Sequence, residues 1–244
     1  MGKRKLEDIK EFKIERKVFD DRTSLAIYKL MVRGVIKTVE SLVKEGKESV
    51  VLSGKGKKDK WVAIKVYRTE YCDFRSMWKY LVGDPRFFGI KKRRRVVVCN
   101  WCKREFKNLK IAFKNKVSCP EPLGFYENVL VMRFIGENGI PSPRLIDVDL
   151  KEVKKELINE LYSLIIKEIE KLLRAKIVHG DLSAYNILLY EGKPVLIDFS
   201  QGVTSKHPLF KEFLERDIKN INSFFRKIGA NVDESLASKM VKKI

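Results

Sequence analysis

The stretch Ile177-Val-His-Gly-Asp-Leu-Ser-Ala-Tyr-Asn-Ile-Leu-Leu189, continued by Val195-Leu-Ile-Asp-Phe-Ser200, decides how the chain is read. Its apolar runs, Ile177-Val178, Ile187 to Leu189 and Val195 to Ile197, suit short strands, and the polar residues fall at their ends. Asp181, Asn186 and Asp198 are the residues so placed. Singly, an aspartate near a turn is most often a cap or a loop acceptor. Together, three oxygen-bearing side chains at these intervals, each beside an apolar run, predict a rigid polar cluster at one edge of the fold.

Upstream of this segment the second half of the chain reads as helical. Asp149 with Glu152 is a capping-box pattern, and Leu150, Val153, Leu157, Leu161, Leu164, Ile165, Ile169 and Leu172 predict one long apolar helix face. The first half reads as strands joined by glycine turns, from about Ile36 to Tyr67, with Trp61-Val-Ala-Ile-Lys-Val-Tyr67 as the clearest. Residues 68–98 break that pattern and carry the run Lys91-Lys-Arg-Arg-Arg95, so they are expected to form a long mobile insertion. Trp101 to Phe113 predicts a helix bearing Glu105, and Asn128 to Ile135 a buried strand that runs into Gly136 and a loop with Pro141 and Pro143.

The opening segment resembles a kinase catalytic loop followed by its metal-binding loop. In such sites an aspartate accepts the proton of the attacking hydroxyl, while an asparagine five residues on and a second aspartate hold magnesium ions. Asp181, Asn186 and Asp198 match in order and spacing. Lys65, in Val62-Ala-Ile-Lys-Val-Tyr67, resembles the strand lysine that pairs with ATP phosphates and a helix glutamate, for which Glu105 is the candidate. A lysine in a strand could equally face solvent; the downstream residues favour the first reading. The glycine-rich phosphate loop departs from the kinase pattern. Only Gly46-Lys47-Glu48-Ser49 is available, where Gly46 can turn the chain and Lys47 and Ser49 can offer donors to phosphate.

With Leu130-Val-Met-Arg-Phe-Ile-Gly136, Pro143-Arg-Leu145, His179 to Asn186 and Ile197-Asp-Phe-Ser-Gln201, most of the chain resembles the RIO family of atypical serine/threonine protein kinases, of its Rio-one, archaeal-like type. The resemblance implies an α+β, bilobal protein-kinase-like fold: a small β-rich N-lobe over 1–132 with extra N-terminal helices and the basic insertion 68–98, a hinge at 133–136, and a helical C-lobe over 137–244. All of it would be one RIO-type domain lacking the usual activation segment and peptide-docking helices. The 46 residues after Asp198 and the missing Ala-Pro-Glu tripeptide agree with that. It implies ATP with Mg2+ or Mn2+, Asp181 as proton acceptor, Asp198 as metal ligand and possible phospho-aspartate, and Asn186 as metal ligand. Nucleotide contacts fall on Lys47, Ser49, Lys65, Glu105, Met132 as gatekeeper, Arg133, Ile135 and Pro141. Arg133 stands where the family usually has glutamate, which leaves backbone recognition of adenine intact. Autophosphorylation on serine, ATPase activity and a part in small ribosomal subunit maturation are also implied.

Charge points the same way. With 52 Lys and Arg against 32 Asp and Glu, the net charge is +20, and a polyanion is the natural partner, nucleic acid first and membrane headgroups second; rRNA or the pre-ribosomal small subunit is the partner that the resemblance implies. A densely charged, thermophile-like surface is the other source of such a composition. The Lys91 to Arg95 run is either an rRNA contact or a solvated charged loop. No stretch approaches the ~20 apolar residues of a spanning helix and the N-terminus has no apolar signal region, so a cytoplasmic protein without membrane contact is expected; the oligomeric state stays open, with a monomer favoured. Of four cysteines only Cys99 and Cys102 have two-residue spacing, and reduced, partly buried thiols are expected rather than a zinc site. Two rival functions remain: a small-molecule phosphotransferase of the aminoglycoside or choline kinase kind, which the positive charge disfavours, and an ATP-binding RNA assembly factor with little catalysis.

Overall fold

The computed structural model describes residues 20–150 and 152–242, and these form two compact units. The first is built from residues up to Leu81 together with Gly89–Phe106 and Pro122–Pro141; the second holds Val82–Phe88, Lys107–Glu121 and the chain from Ser142 onward.

In the first unit, helix α1 (Asp21–Val32) opens with Asp20, whose side chain accepts from the Thr23 amide at 2.7 Å, a standard N-cap. Strands β1 (Thr38–Glu45), β2 (Ser49–Lys55), β3 (Trp61–Tyr67), β4 (Pro122–Tyr126) and β5 (Val129–Arg133) make an antiparallel sheet in the order β1-β2-β3-β5-β4. The strands read from Ile36 to Tyr67 and around Val129 are thus present. Strand periodicity sorts β3 cleanly. Val62, Ile64 and Val66 join Val50, Leu52, Val129 and Val131 in a core against Ala26, Ile27, Leu30 and Met31 of α1. The alternate residues Ala63, Lys65 and Tyr67 therefore point to the opposite face. Lys65 sits at the middle of the sheet, opposite Val51 on one neighbour and Leu130 on the other.

Residues 68–98 differ from the expected mobile insertion. They hold helix α2 (Phe74–Val82), a single 3₁₀ turn at Pro85–Phe87 and the start of helix α3 (Arg94–Lys114), which begins seven residues before Trp101. The apolar anchors Met77 and Leu81 of α2 and Phe87 of the turn are buried, which fixes a segment whose composition looks like a loop. Arg94 and Arg95 lie in the first turn of α3, so the basic run is half helical. After β5 the chain makes a small hairpin, β6 (Gly136–Glu137) with β7 (Ile140–Pro141). Of the extra N-terminal helices, α1 is described; residues 1–19 lie outside the described residues.

The second unit centres on helix α4 (Lys155–Arg174), followed by β8 (Ile177–Val178), the hairpin of β9 (Ile187–Tyr190) and β10 (Lys193–Leu196), β11 (Val203–Thr204), and helices α5 (Phe210–Lys227) and α6 (Leu236–Val241). The three short apolar runs are strands, as their pattern predicts. Glu191 (φ 50°) and Gly192 (φ 73°) turn the β9–β10 hairpin, both in the left-handed region that a tight two-residue hairpin demands. Two details of α4 correct the sequence reading. The capping-box residues do not open the helix: Val153 N donates to Leu150 O in a local turn, and the helix begins at Lys155. The buried stripe is Ile158, Tyr162, Ile165, Ile169 and Leu172, while Leu157 is 55% exposed. The stripe rotates because Tyr162 has a specific partner in α5, its hydroxyl donating to Asn222 Oδ1 at 2.8 Å and its ring lying 5.3 Å from Phe225. Between Asp198 and α5 the chain has only a 3₁₀ turn and the short β11, with no room for an activation segment. No helix among the described residues is long and apolar enough to cross a membrane.

Candidate active site

In the first unit, Lys65 Nζ donates to Glu105 Oε1 at 2.9 Å, and the two side chains are only 6% and 2% exposed. The lysine and glutamate named from the kinase resemblance do pair. Burying two charges costs desolvation energy that their mutual attraction repays only with good geometry and further hydrogen bonds. Tyr67 supplies one: two residues along β3 and so on the same face, its hydroxyl donates to Glu105 Oε2, and its ring lies 5.1 Å from Lys65 Nζ. Sequence reasoning missed Tyr67, although period-two alternation from Lys65 was enough to place it there. Lys47 is exposed and Ser49 half-buried at the β1–β2 turn, which closes through Gly46 N to Ser49 O. Met132 is buried beside Ala63 on β5, Arg133 next to it is exposed, Ile135 is half-buried between β5 and β6, and Pro141 is exposed on β7.

In the second unit, the loop between β8 and β9 carries Asp181 and Asn186 and the end of β10 leads into Asp198. Asn186 Nδ2 donates to the Asp181 main-chain carbonyl at 2.8 Å and stands 3.4 Å from Asp181 Oδ2. Ile197 N donates to Asn186 O at 2.9 Å, tying the loop to the strand that delivers Asp198. Asp198 takes a left-handed conformation (φ 63°, ψ 69°). Such backbone conformations in non-glycine residues gather at functional sites. Burial raises the Asp181 carboxyl above its usual range, His179 opposes that rise, and the nearby charge of Asp198 adds to it. A raised pKa makes Asp181 a better base.

The backbone of the β8–β9 loop is held by residues the sequence reading did not name. Asp217 of α5, 2% exposed, accepts from the amides of Gly180 (2.8 Å) and Leu182 (2.9 Å). Its neighbours Arg216 and Asn220 donate to the carbonyls of the same two residues. The signal was present: Asp217 is an acidic residue on the apolar stripe Phe210, Phe213, Leu214, Ile218 and Ile221. His179 Nε2 lies 2.9 Å from Ile197 O, and its ring lies tilted with its centroid 4.8 Å from that of Phe199. Asn108 of α3 donates to Phe199 O at 2.9 Å and Gly202 O at 2.8 Å, bracketing the turn after Asp198.

Among the described residues no group of three His, Cys, Asp or Glu side chains forms a preformed metal cage. The donors present are carboxylates and an amide oxygen, hard ligands of the kind that hold Mg2+ together with substrate phosphates rather than alone. The mutual repulsion of Asp181 and Asp198 is what a divalent cation would relieve, so the residues fit such an ion. The four cysteines are free thiols, as expected.

A five-stranded antiparallel sheet with a buried lysine–glutamate pair, and a helical unit carrying the ordered Asp, Asn and Asp, define the protein-kinase-like class. The RIO domain model matches residues 50–237. The chain is 42% identical over 229 residues to the RIO-type serine/threonine-protein kinase Rio1 of Haloferax volcanii, covering 94% of this chain and 77% of that protein. To the Rio1 of Methanocaldococcus jannaschii it is 42% identical over 222 residues, 90% of this chain and 73% of the relative. The fold is also that of the Rio2 kinase from Chaetomium thermophilum, solved as an ADP/Mg2+-phosphoaspartate complex, with a TM-score of 0.69 at 21% identity over 91% of this chain and 66% of that one. The chain belongs to the RIO family of atypical serine/threonine protein kinases, and its relatives at this identity are of the Rio1 type.

Proposed function

We propose that the protein is an ATP-dependent serine/threonine kinase and ATPase that acts, as a monomer in the cytoplasm, on the maturing small ribosomal subunit. The observation that carries the catalytic part is the Asp181 carboxylate, fixed beside Asn186, with its pKa raised first by burial and then by the charge of Asp198. In this reading Lys65, oriented by Glu105 and Tyr67, binds the α and β phosphates of ATP, with Lys47 and Ser49 adding donors. The backbone at Arg133 and Ile135 takes the adenine, with Met132 behind it and Pro141 at the rim. Asn186 and Asp198 would hold Mg2+ or Mn2+, whose charge neutralises the phosphates. Asp181 accepts the proton of the attacking hydroxyl while the hydroxyl oxygen bonds the γ-phosphorus and the bond to ADP breaks. Asp198 can itself be the acceptor, its carboxylate taking the phosphoryl group and water later releasing phosphate; the phosphoaspartate of the Rio2 complex supports this.

The test is incubation with γ-labelled ATP and Mg2+, with and without small-subunit precursor. Label on serine, or hydroxylamine-labile label on aspartate, should appear with free phosphate. Asp181→Ala should lose both and keep ATP binding, and Asp198→Ala should lose metal-dependent turnover. ATP binding without turnover in the unmodified protein would instead support an assembly factor with little catalysis.

The ribosomal part rests on the charge of +20 and on the basic segment. Lys91, Lys92 and Arg93 are exposed, and Lys92 lies 5.7 Å from the Trp78 ring. Arg95 instead pairs with Asp20 and Glu127, and Arg94 donates to the carbonyls of Glu70 and Cys72. Phosphate contacts therefore belong to the first three cations.

A further inference from the structure

Gln201 ends the motif that follows Asp198, and the proposed chemistry leaves it without a task. Its Nε2 donates to Asp181 Oδ2 at 3.1 Å. The other amide near that oxygen, Asn186 Nδ2, is farther off at 3.4 Å and makes its shorter bond, 2.8 Å, to the main chain. Gln201 is thus the nearer side-chain donor to the carboxylate. Both contacts fall on Oδ2, which leaves Oδ1 to receive a proton.

The backbone under Gln201 is held from both sides. Phe199–Gln201 is a 3₁₀ turn closed by Gly202 N to Phe199 O, and Asn108 binds the carbonyls of Phe199 and Gly202. On the catalytic loop, Gly180 has φ 78°, and a Cβ there would come within 2.6 Å of Gln201 O. That glycine lets the main chain of Gln201 lie directly against the residue preceding Asp181. An anchored backbone makes the side-chain bond a fixed one, because only the glutamine's own rotamer is left to order.

We propose that Gln201 is the positioning residue of Asp181, fixing its carboxylate so that Oδ1 faces the attacking hydroxyl. This rests on Asp181 being the base. Orientation of a catalytic group within a few tenths of an ångström is where such a residue contributes rate rather than binding. Three substitutions separate the donor from the space it fills. Gln201→Met keeps the length and removes the donor. Gln201→Glu keeps the shape and sets an acceptor against an acceptor. Gln201→Asn keeps the donor about 1.5 Å short, one carbon–carbon bond.

The measurement is kcat and KM for ATP of phosphate release and autophosphorylation, with nucleotide Kd and Tm alongside. Gln201→Met should lower kcat by about tenfold and Gln201→Glu by more, part of the ~10²–10⁴ that a placed base supplies. KM, Kd and Tm should stay close to those of the unmodified protein, and Gln201→Asn should fall between the unmodified protein and Gln201→Met. A Gln201→Met protein that turns over at the unmodified rate while Asp181→Asn is inactive would overturn the proposal alone. Losses in Kd or Tm that account for the loss in rate would also overturn it, by showing a packing role. Full turnover by Asp181→Asn would remove the assignment of the base and this proposal with it.

Discussion

At the scale of single residues the site depends on polar groups that are buried and satisfied. Asp217 is the sharpest case, a carboxylate accepting two main-chain amides while burial raises its pKa. In Asp217→Asn one acceptor becomes a donor facing an N–H, so a bond is replaced by a clash of donors. A loss of about 1–3 kcal/mol in stability is expected, with slower turnover and unchanged ATP affinity; denaturant unfolding and nucleotide titration check it. Glu105→Ala should cost more, on the order of 3–5 kcal/mol, because Lys65 is left charged in a buried site. An unfolding midpoint close to that of the unmodified protein would show that the pair is solvated. Lys65, Asp181, Asn186 and Asp198 could be proposed from the sequence because a family motif fixes their residue types and spacing. Tyr67 and Asp217 were not, since each is defined by the atom it touches in a distant part of the chain.

At the scale of elements, legibility followed periodicity. Strand β3 and the short strands β8 to β10 announced themselves through apolar runs bounded by turns. Helix α2 did not, because its nine residues mix Arg75 and Lys79 among aromatic residues and bury chiefly Met77 and Leu81. Its order comes from what those two side chains pack against. The face of α4 was misjudged by one residue for a similar reason, since Tyr162 is selected by its partners Asn222 and Phe225 in α5. Helix α3 offers a test of its own. Asn108→Ala removes the two side-chain bonds that Asn108 makes to the turn after Asp198, and the Mg2+ concentration for half-maximal turnover should rise several-fold with little change in Lys65–Glu105 pairing. An unaltered Mg2+ dependence would show that the turn holds itself.

At the scale of the whole molecule, burial silences the thiols and charge marks the surface. Cys72 and Cys119 are pushed up to about 12 and Cys99 to about 11 from the usual 9.0, mainly by burial, and Cys102 rises well above that value. At pH 8 the native chain should resist iodoacetamide and take up four labels only when unfolded; the thiolate is the nucleophile, and it is scarce in the native state. The sign of the linkage follows: above pH 9 the unfolded thiols lose protons that the folded ones keep, so stability falls as pH rises from 9 toward 12. Binding to single-stranded RNA should weaken steeply with salt, and replacing Lys91, Lys92 and Arg93 by Gln should flatten that slope, whereas Arg95→Gln should change it little. What the sequence by itself determined was the strands, the long helix and, through a family resemblance, the class of fold and the candidate site residues, because alternation, turn residues and motif spacing are local properties. Only the tertiary structure decided which partners orient them, Tyr67 for Glu105, Asp217 for the loop and Gln201 for Asp181, because a hydrogen bond between residues far apart in the chain exists only once packing has brought them within 3 Å or so.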